Sequence, residues 1–331
     1  MLDRLAAAVR SISFAGGGYH VKWVFIAFLI IISADAMRRK GFQLGALKIQ
    51  SAMEYLMTYG WAILIIAIVM VALFALGVFN SANFLPRASA GACQVVRNVE
   101  STTLQGQCGN ELPQYVAVFD GVKSFVSIPN SAGLDAIAGN TVTISTWIRT
   151  SSLNNQIIFS TYDYNVESQG YQSYLYNPGY AAGWDSYGPM TSSAQITDGA
   201  WHDFVITWNS GTSYIYVDGV ERGGPYTGRL IVPATYENQI GTQCASAGST
   251  TCSFYFDGYI SNVQVYNSSL SANDVMALYR EGIGGVPIDP THILAWWPLN
   301  GNTNDYSGNG NAGVAHSISY TTSWTSGYSA P

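Results

Sequence analysis

Apolar and polar positions follow two different periods along this chain, and the change between them divides it. From Gly60 to Phe79 the residues are apolar without a break and none is charged. At about 1.5 Å rise per residue, a helix of that length matches the roughly 30 Å hydrocarbon core of a bilayer. The pattern therefore predicts an apolar helix over 50–80. From Tyr115 onward the apolar residues alternate instead, as in Tyr115-Val116-Ala117-Val118-Phe119, Thr141-Val142-Thr143-Ile144-Ser145-Thr146-Trp147-Ile148 and Phe204-Val205-Ile206-Thr207-Trp208. Period two is the mark of strands with one buried face. Turn signals separate them at short intervals: Asp120-Gly121, Pro129-Asn130, Gly139-Asn140, Asn209-Ser210-Gly211, Asp218-Gly219 and Asp257-Gly258. Many short strands with such turns predict a mainly β chain, a β-sandwich behind the apolar helix. Asp218-Gly219 closes a tight hairpin, where Gly supplies positive φ. Only Ser271 to Arg280 has the helical period, with Val275, Leu278 and Tyr279 on one face, and it is expected to pack on a sheet edge.

Charge gives the apolar helix a direction. Arg38, Arg39, Lys40 and Lys48 precede it, and the first basic residue after it is Arg87. Basic residues stay on the cytoplasmic side, so the amino terminus is expected inside and everything after Asn80 outside. A second apolar run, Trp23 to Ala34, is only about a dozen residues long, too short to span comfortably. It reads as a removed leader, or as residues upstream of a true start at Met37. From Gln50 onward the chain carries seven basic against eighteen acidic residues. That balance argues against a nucleic-acid partner.

All four cysteines lie beyond the span, as Cys93 with Cys108 and Cys244 with Cys252. An extracytoplasmic position makes two disulfides the expectation, each closing a short polar loop, with zinc as the weaker alternative because neither spacing is Cys-x-x-Cys. Asn267-Ser268-Ser269 is a glycosylation sequon, which fits a surface position at Asn267.

The stretch Lys48-Ile49-Gln50-Ser51-Ala52-Met53-Glu54-Tyr55-Leu56 resembles the archaeal class III signal peptide of type IV pilin-like proteins. The resemblance implies a membrane peptidase cutting between Ile49 and Gln50, although Ile49 stands where a small residue is usual. It also implies that Glu54 neutralises the new terminal amine of a neighbouring pilin-like subunit. A buried ammonium and carboxylate are each costly alone and much less so together.

Several β segments together resemble the laminin-G-like, concanavalin A-like lectin jelly roll. Phe119-Asp120-Gly121 with Phe125-Val126-Ser127-Ile128-Pro129 looks like its opening strand pair, and Thr143 to Ile148 like the next strand. Trp201 to Trp208 followed by Tyr216-Val217-Asp218-Gly219 resembles its most diagnostic hairpin, and Gly258 to Tyr266 with Leu270-Ser271-Ala272 its late strand and helix. The likeness covers roughly residues 115 to 282. Leu294-Ala295-Trp296-Trp297-Pro298-Leu299-Asn300-Gly301-Asn302 and Asp305 to Val314 resemble the family's first strand and turn, yet here they come last. The preferred reading is a permuted jelly roll over 115–324 whose region 292–324 supplies that strand. Strand exchange between subunits and a truncated second repeat are the alternatives. Residues 1–49 are then a leader, 50–80 a membrane or pilin-type helix, 81–114 a linker with one disulfide loop and 325–331 a tail.

Catalysis finds little support in the motifs. No Glu-x-Asp-x-x-Glu strand, Gly-x-Ser-x-Gly, His-Glu-x-x-His or phosphate loop is present, and His20, His202, His292 and His316 lack metal spacing. No catalytic residue is assigned, and His202 reads as structural. Binding is better served by Tyr162, Tyr164, Tyr171, Tyr174, Tyr176, Tyr180, Trp184 and Tyr187, since aromatic faces suit sugar C–H surfaces. Tyr174 and Tyr176 are expected to point inward together. Trp184 and Tyr187, read as loop residues between Gly183 and Gly188, are the candidate ligand contacts.

Many members of the resembled superfamily hold Ca2+. Asn302-Thr303-Asn304-Asp305 with Ser307, Asn309 and Asp120 offers the right donor types, as any tight turn would. The function expected first is a pilin-like or membrane-anchored surface protein presenting a lectin-like domain to a glycan or protein. A filament or envelope subunit without a small ligand is the alternative, and a glycosidase a distant third.

Overall fold

The computed structural model describes residues 46–75, 85–109, 111–135, 141–162, 169–232, 237–244 and 251–331. It divides into two compact units, Met1–Ala75 and Leu76–Pro331. In the first, helix α1 covers Ala46–Ala75. From Ile63 to Phe74 its large apolar side chains are exposed. Among the described residues no helix is long and apolar enough to cross a membrane. The side chains of α1 are described only at 59, 60 and 62–74. Residues 1–45 of the leader lie outside the described residues, as do the side chains of Ile49, Gln50 and Glu54.

The second unit opens with β1 (Arg87–Ala88), β2 (Cys93–Arg97), β3 (Thr102–Gly106) and β4 (Leu112–Pro113). There follow β5 (Val116–Asp120), β6 (Phe125–Ile128), the single turn α2 (Ala132–Asp135), β7 (Thr141–Arg149), β8 (Gln156–Ser160), β9 (Gln172–Tyr176), β10 (Tyr180–Asp185) and β11 (Gly188–Gln195). Next come β12 (Trp201–Asn209), β13 (Thr212–Val217), β14 (Val220–Thr227), β15 (Asn238–Ile240), β16 (Gln243–Cys244), β17 (Cys252–Ser253) and β18 (Asp257–Tyr266). Helix α3 (Ala272–Glu281) and the strands β19 (Ile293–Trp297), β20 (Val314–His316) and β21 (Ser319–Thr321) complete the chain.

These strands form a sandwich of two sheets. One sheet runs β11-β10-β9-β8-β15-β6-β20 and the other β14-β13-β12-β7-β18-β5-β21, with β19 also paired to β18. Alternation turns Ile144, Ile148, Phe204, Ile206 and Trp208 of one sheet toward Ile158, Phe159, Leu175 and Ile240 of the other, and this is the main core. The turn Asp218-Gly219 has φ of 53° and 73°, as a two-residue hairpin between twisted strands requires.

The carboxyl-terminal strands are integral to both sheets. β5 and β19 lie end to end along one flank of β18, β5 on residues 257–260 and β19 on 263–266. β20 pairs with β6 and β21 with β5. Trp297 and Leu299 are fully buried in the main core.

Three expectations change here. Residues 87–113 form strands rather than a linker, because Cys93–Cys108 staples the β2–β3 hairpin, not a polar loop, and Val95 N–H donates to Tyr306 O at 2.8 Å. The segment after 324 is no free tail, since Tyr328 packs on Trp147 and Trp324. Helix α3 covers a sheet face beside the edge hairpin β13–β14, not the edge alone. Its Val275 and Leu278 pack with Val205 and Tyr216 on the outer side of the eight-stranded sheet. Ser271 caps it reciprocally with Asp274. The second disulfide, Cys244–Cys252, joins β16 to β17, and no described cysteine is free.

Candidate functional site

Along β9 the parity is set by Leu175, which enters the core, so Tyr174 and Tyr176 face outward and not inward as expected. On β10, Ala181 enters the core and Gly183 follows its parity: a Cβ at Gly183 would stand 2.9 Å from Ile206 Cδ1 and from Met190 Cε. Trp184 is therefore turned out. It stands on a strand and not in a loop. The cross-strand register places Ile157 beside Tyr174, Tyr174 beside Ala182 and Trp184 beside Gln172.

The result is a groove of about 270 Å³ on the outer face of the seven-stranded sheet. Ile157, Tyr174 and Ala182 make its apolar floor, and Trp184 packs against them. Tyr162 meets Trp184 edge-on, with centroids 6.1 Å apart and planes at 78°. Gln172 Nε2 donates to Ser160 Oγ at 3.0 Å and to Gln243 Oε1 at 2.9 Å, which ties β9 to β16 at the groove. Phe254 lines the groove at φ 56° and is 47% exposed. A bulky residue in the left-handed region is a strained arrangement that functional sites tend to retain. The Trp184 indole N–H is buried and has no hydrogen-bond partner among the described residues. A buried donor without an acceptor costs about 1–3 kcal/mol.

Asp185 holds the hairpin that carries Trp184. It is fully buried and accepts from Arg229 Nε at 3.0 Å, Trp208 Nε1 at 3.2 Å and Tyr187 N–H at 2.9 Å. Burial pushes its carboxyl above the usual range, opposed by those donors. Tyr187 itself is 60% exposed in the β10–β11 turn and does not line the groove. Tyr171 is a core residue whose hydroxyl donates to Leu134 O. Tyr164 lies outside the described residues.

The turn suggested for Ca2+ is engaged in holding itself. Asp305 accepts from Trp296 N–H at 3.0 Å, Ser307 N–H at 2.8 Å, Asn311 N–H at 2.8 Å and Ser307 Oγ at 2.9 Å. The slight burial of Asp120 would raise its pKa, but the N–H groups of Lys123, Val122 and Ser124 hold it well below the carboxylate range. No group of three or more His, Cys, Asp or Glu that could hold a metal occurs among the described residues.

The histidines remain scattered. His202 Nδ1 lies 2.8 Å from Asp218 Oδ2 and its Nε2 3.1 Å from Asp198 Oδ1. Burial lowers its pKa, and the bonds and charges of Asp218 and Asp198 more than reverse that. His292 bonds Asp289, and His316 stacks on Phe125. His20 lies outside the described residues. Asn267 is exposed just after β18.

Residues 120–276 match the family Laminin_G_3, the Concanavalin A-like lectin/glucanases superfamily. Over these residues the chain is similar to a concanavalin A-like lectin domain. The match ends within α3, so β19 to β21 lie beyond it. No curated protein matches the chain. Among solved structures, a candidate carbohydrate-binding protein from Bacteroides ovatus aligns at 15% identity and TM-score 0.50, over 68% of this chain and 65% of its own length. The chain thus spans just under two thirds of that protein. The heptameric SAP-like pentraxin of Limulus polyphemus aligns at 16% identity and TM-score 0.41, over 53% of this chain and 84% of its own. The CBM40 module of a Ruminococcus gnavus IT-sialidase aligns at 15% identity and TM-score 0.39, over 49% and 96% respectively. Identities this low speak to the fold alone, and the two lower scores add nothing to it.

Proposed function

We propose that this chain is a membrane-anchored surface protein whose lectin-like domain binds carbohydrate in the groove between Tyr162, Tyr174 and Trp184. The observation that carries the reading is the outward-turned aromatic floor and wall, with a buried indole N–H left for a ligand to satisfy. Flat apolar surface beside a few fixed polar groups is what a sugar ring needs. The first-named structural relative, itself a candidate carbohydrate-binding protein, supports the reading by fold. Among the described residues the groove is lined by aromatic, amide and aliphatic side chains, and the site is read as a binder.

Anchoring and processing belong to the same proposal. α1 exposes apolar side chains from Ile63 to Phe74, and a helix apolar all round needs a bilayer or other helices to cover it. The basic residues before it place the domain outside, where both disulfides and a glycosylated Asn267 belong. Cleavage between Ile49 and Gln50 would leave Glu54 near a new terminal amine. Sequencing the mature amino terminus tests this: a start at Gln50 supports the pilin-like reading, and an intact segment 37–49 leaves a plain signal anchor.

The same exposed α1 favours a second reading, a filament or envelope subunit without a small ligand. A glycan array probed with the full chain in detergent separates the two. Binding supports the lectin reading, and silence across the array supports the structural one.

A further inference from the structure

We infer that the groove takes an uncharged saccharide, with an acceptor oxygen of the sugar on the Trp184 indole N–H; this rests on the groove being the carbohydrate site. Every described residue lining it is neutral: asparagine, glutamine, tyrosine, tryptophan, isoleucine, proline or phenylalanine. An anionic sugar entering would surrender part of the hydration of its carboxylate and find no cation in exchange among the described lining residues.

The cation closest to hand is already committed. Arg229 raises no barrier and offers no help, because its Nε holds the buried Asp185 at 3.0 Å and its other nitrogens hold the carbonyls of Tyr187 and Gly188. Ionisation within the groove does not change this, since burial raises the Tyr174 phenol above its ordinary range and keeps it neutral.

The polar groups that remain are suited to hydroxyl and ring oxygens. Gln156 is consumed by the fold, donating to Ser152 O and accepting from Asp257 N–H. The Gln172–Gln243 bond fixes two further side chains at one end, while Trp184 Nε1 has no partner at the aromatic wall. At about 270 Å³ the groove falls just below the roughly 300–1,000 Å³ range of small-molecule sites. It suits a mono- or disaccharide unit lying with its C–H face on Tyr174 and Ile157.

The test is tryptophan fluorescence titration and calorimetry on the full chain in detergent. The probes are neutral disaccharides (maltose, cellobiose, lactose, mannobiose and xylobiose) and anionic ones (sialyllactose, digalacturonate and a sulfated chondroitin disaccharide). The expected result is binding of at least one neutral sugar, at least tenfold tighter than any anionic one. Trp184→Phe should weaken it at least tenfold while keeping an aromatic wall, and Tyr187→Ala should leave it unchanged. Circular dichroism melting confirms that Trp184→Phe is folded, and Tyr174→Ala, which removes the ring under the sugar, serves as a second groove variant if it is not. Anionic sugars binding as tightly or tighter overturn the inference and leave the lectin reading standing. Neutral binding indifferent to both groove variants overturns the site, and no binding by any probe overturns the carbohydrate reading itself.

Discussion

The two outer faces of the sandwich are built from the same alternation and treated in opposite ways. Outside the eight-stranded sheet, Val205, Tyr216 and Tyr266 lie beneath α3 and the stapled β2–β3 hairpin, beside Ile293 and Trp296 of β19, while Trp147 and Trp201 lie beneath Leu112, Ile283, Trp324 and Tyr328. Outside the seven-stranded sheet, Ile157, Tyr174 and Ala182 form a small cluster that, among the described residues, has Trp184 packed against it. The covering on the first face comes from segments before the family match, from α3 at its end and from segments after it. A sheet needs one buried face to be stable, and here both faces of one sheet are buried. Stability is thereby concentrated on one side, and the other side is free to hold an apolar groove in water.

The largest effect should come from opening the covered face. Trp201 is 5% exposed, meets Trp324 edge-on and donates its indole N–H to Trp324 O at 2.9 Å. Trp201→Ala should cost about 3–5 kcal/mol, lowering Tm by roughly 6–20 °C for a domain of this size. Trp184→Ala on the open face should cost less than half as much and abolish binding instead. Equal Tm losses for the two variants would break the comparison.

The disulfides repeat the contrast at slightly smaller scale. Cys93–Cys108 spans 15 residues and Cys244–Cys252 spans 8, so chain entropy assigns them about 3 and about 2.5 kcal/mol. The similar stability terms should hide different functions. Cys93→Ser with Cys108→Ser loosens the hairpin over the covered face, and should lower the denaturant midpoint with affinity intact. Cys244→Ser with Cys252→Ser releases the strand beside Gln243, and should weaken sugar binding as well.

Much of this sandwich is legible in the chain. The alternation of Thr143 to Ile148, the Asp218-Gly219 turn and the Ser271 cap each have a local cause, and each stands where the pattern puts it. Parity without a reference is a different matter, because period two names two faces and not which one is the core. Tyr174 and Tyr176 look as buriable as Leu175, and only the partner sheet decides between them. The groove is harder still. Asn155, Gln172, Trp184, Gln243 and Phe254 come from five separate segments, and only the strand order brings them together. One signal was available: Gly183 before Trp184 marks a close approach on the inner face, which leaves its neighbour outside.

A buried carboxyl marks the covered face in its pH response. Asp203 is fully buried, accepts from Ser145 Oγ at 3.2 Å, and is pushed by burial to about 8. Its folded pKa lies above the unfolded value near 4, so the folded state binds the extra proton between those two values. The stabilising contribution is complete at low pH and is lost as pH rises through about 8. His202, also raised, works in the same direction above its unfolded value of about 6.5. Stability measured by urea melts should therefore fall from pH 5 to pH 9. Asp203→Asn should flatten most of that slope and gain about 1–3 kcal/mol at pH 8. An Asp203→Asn slope identical to that of the parent chain would remove Asp203 as its cause. Groove affinity should not follow the slope, since no described group lining the groove carries a charge.

The smallest effect distinguishes a residue near the groove from one in it. Tyr187 sits three residues beyond Trp184 and looks like its companion in sequence, yet it is 60% exposed at the hairpin turn. Its backbone does the structural work: the N–H donates to Asp185 Oδ1 at 2.9 Å and the carbonyl accepts from Arg229 Nη1 at 3.4 Å. Both bonds survive truncation of the ring. Tyr187→Ala should therefore change stability by no more than about 0.5 kcal/mol and leave saccharide affinity within twofold, measured in the same titrations. A tenfold loss would extend the site around the turn and onto the edge of the sheet. The open face would then be a wider platform than its groove, with the exposed ring at the turn as its outermost contact.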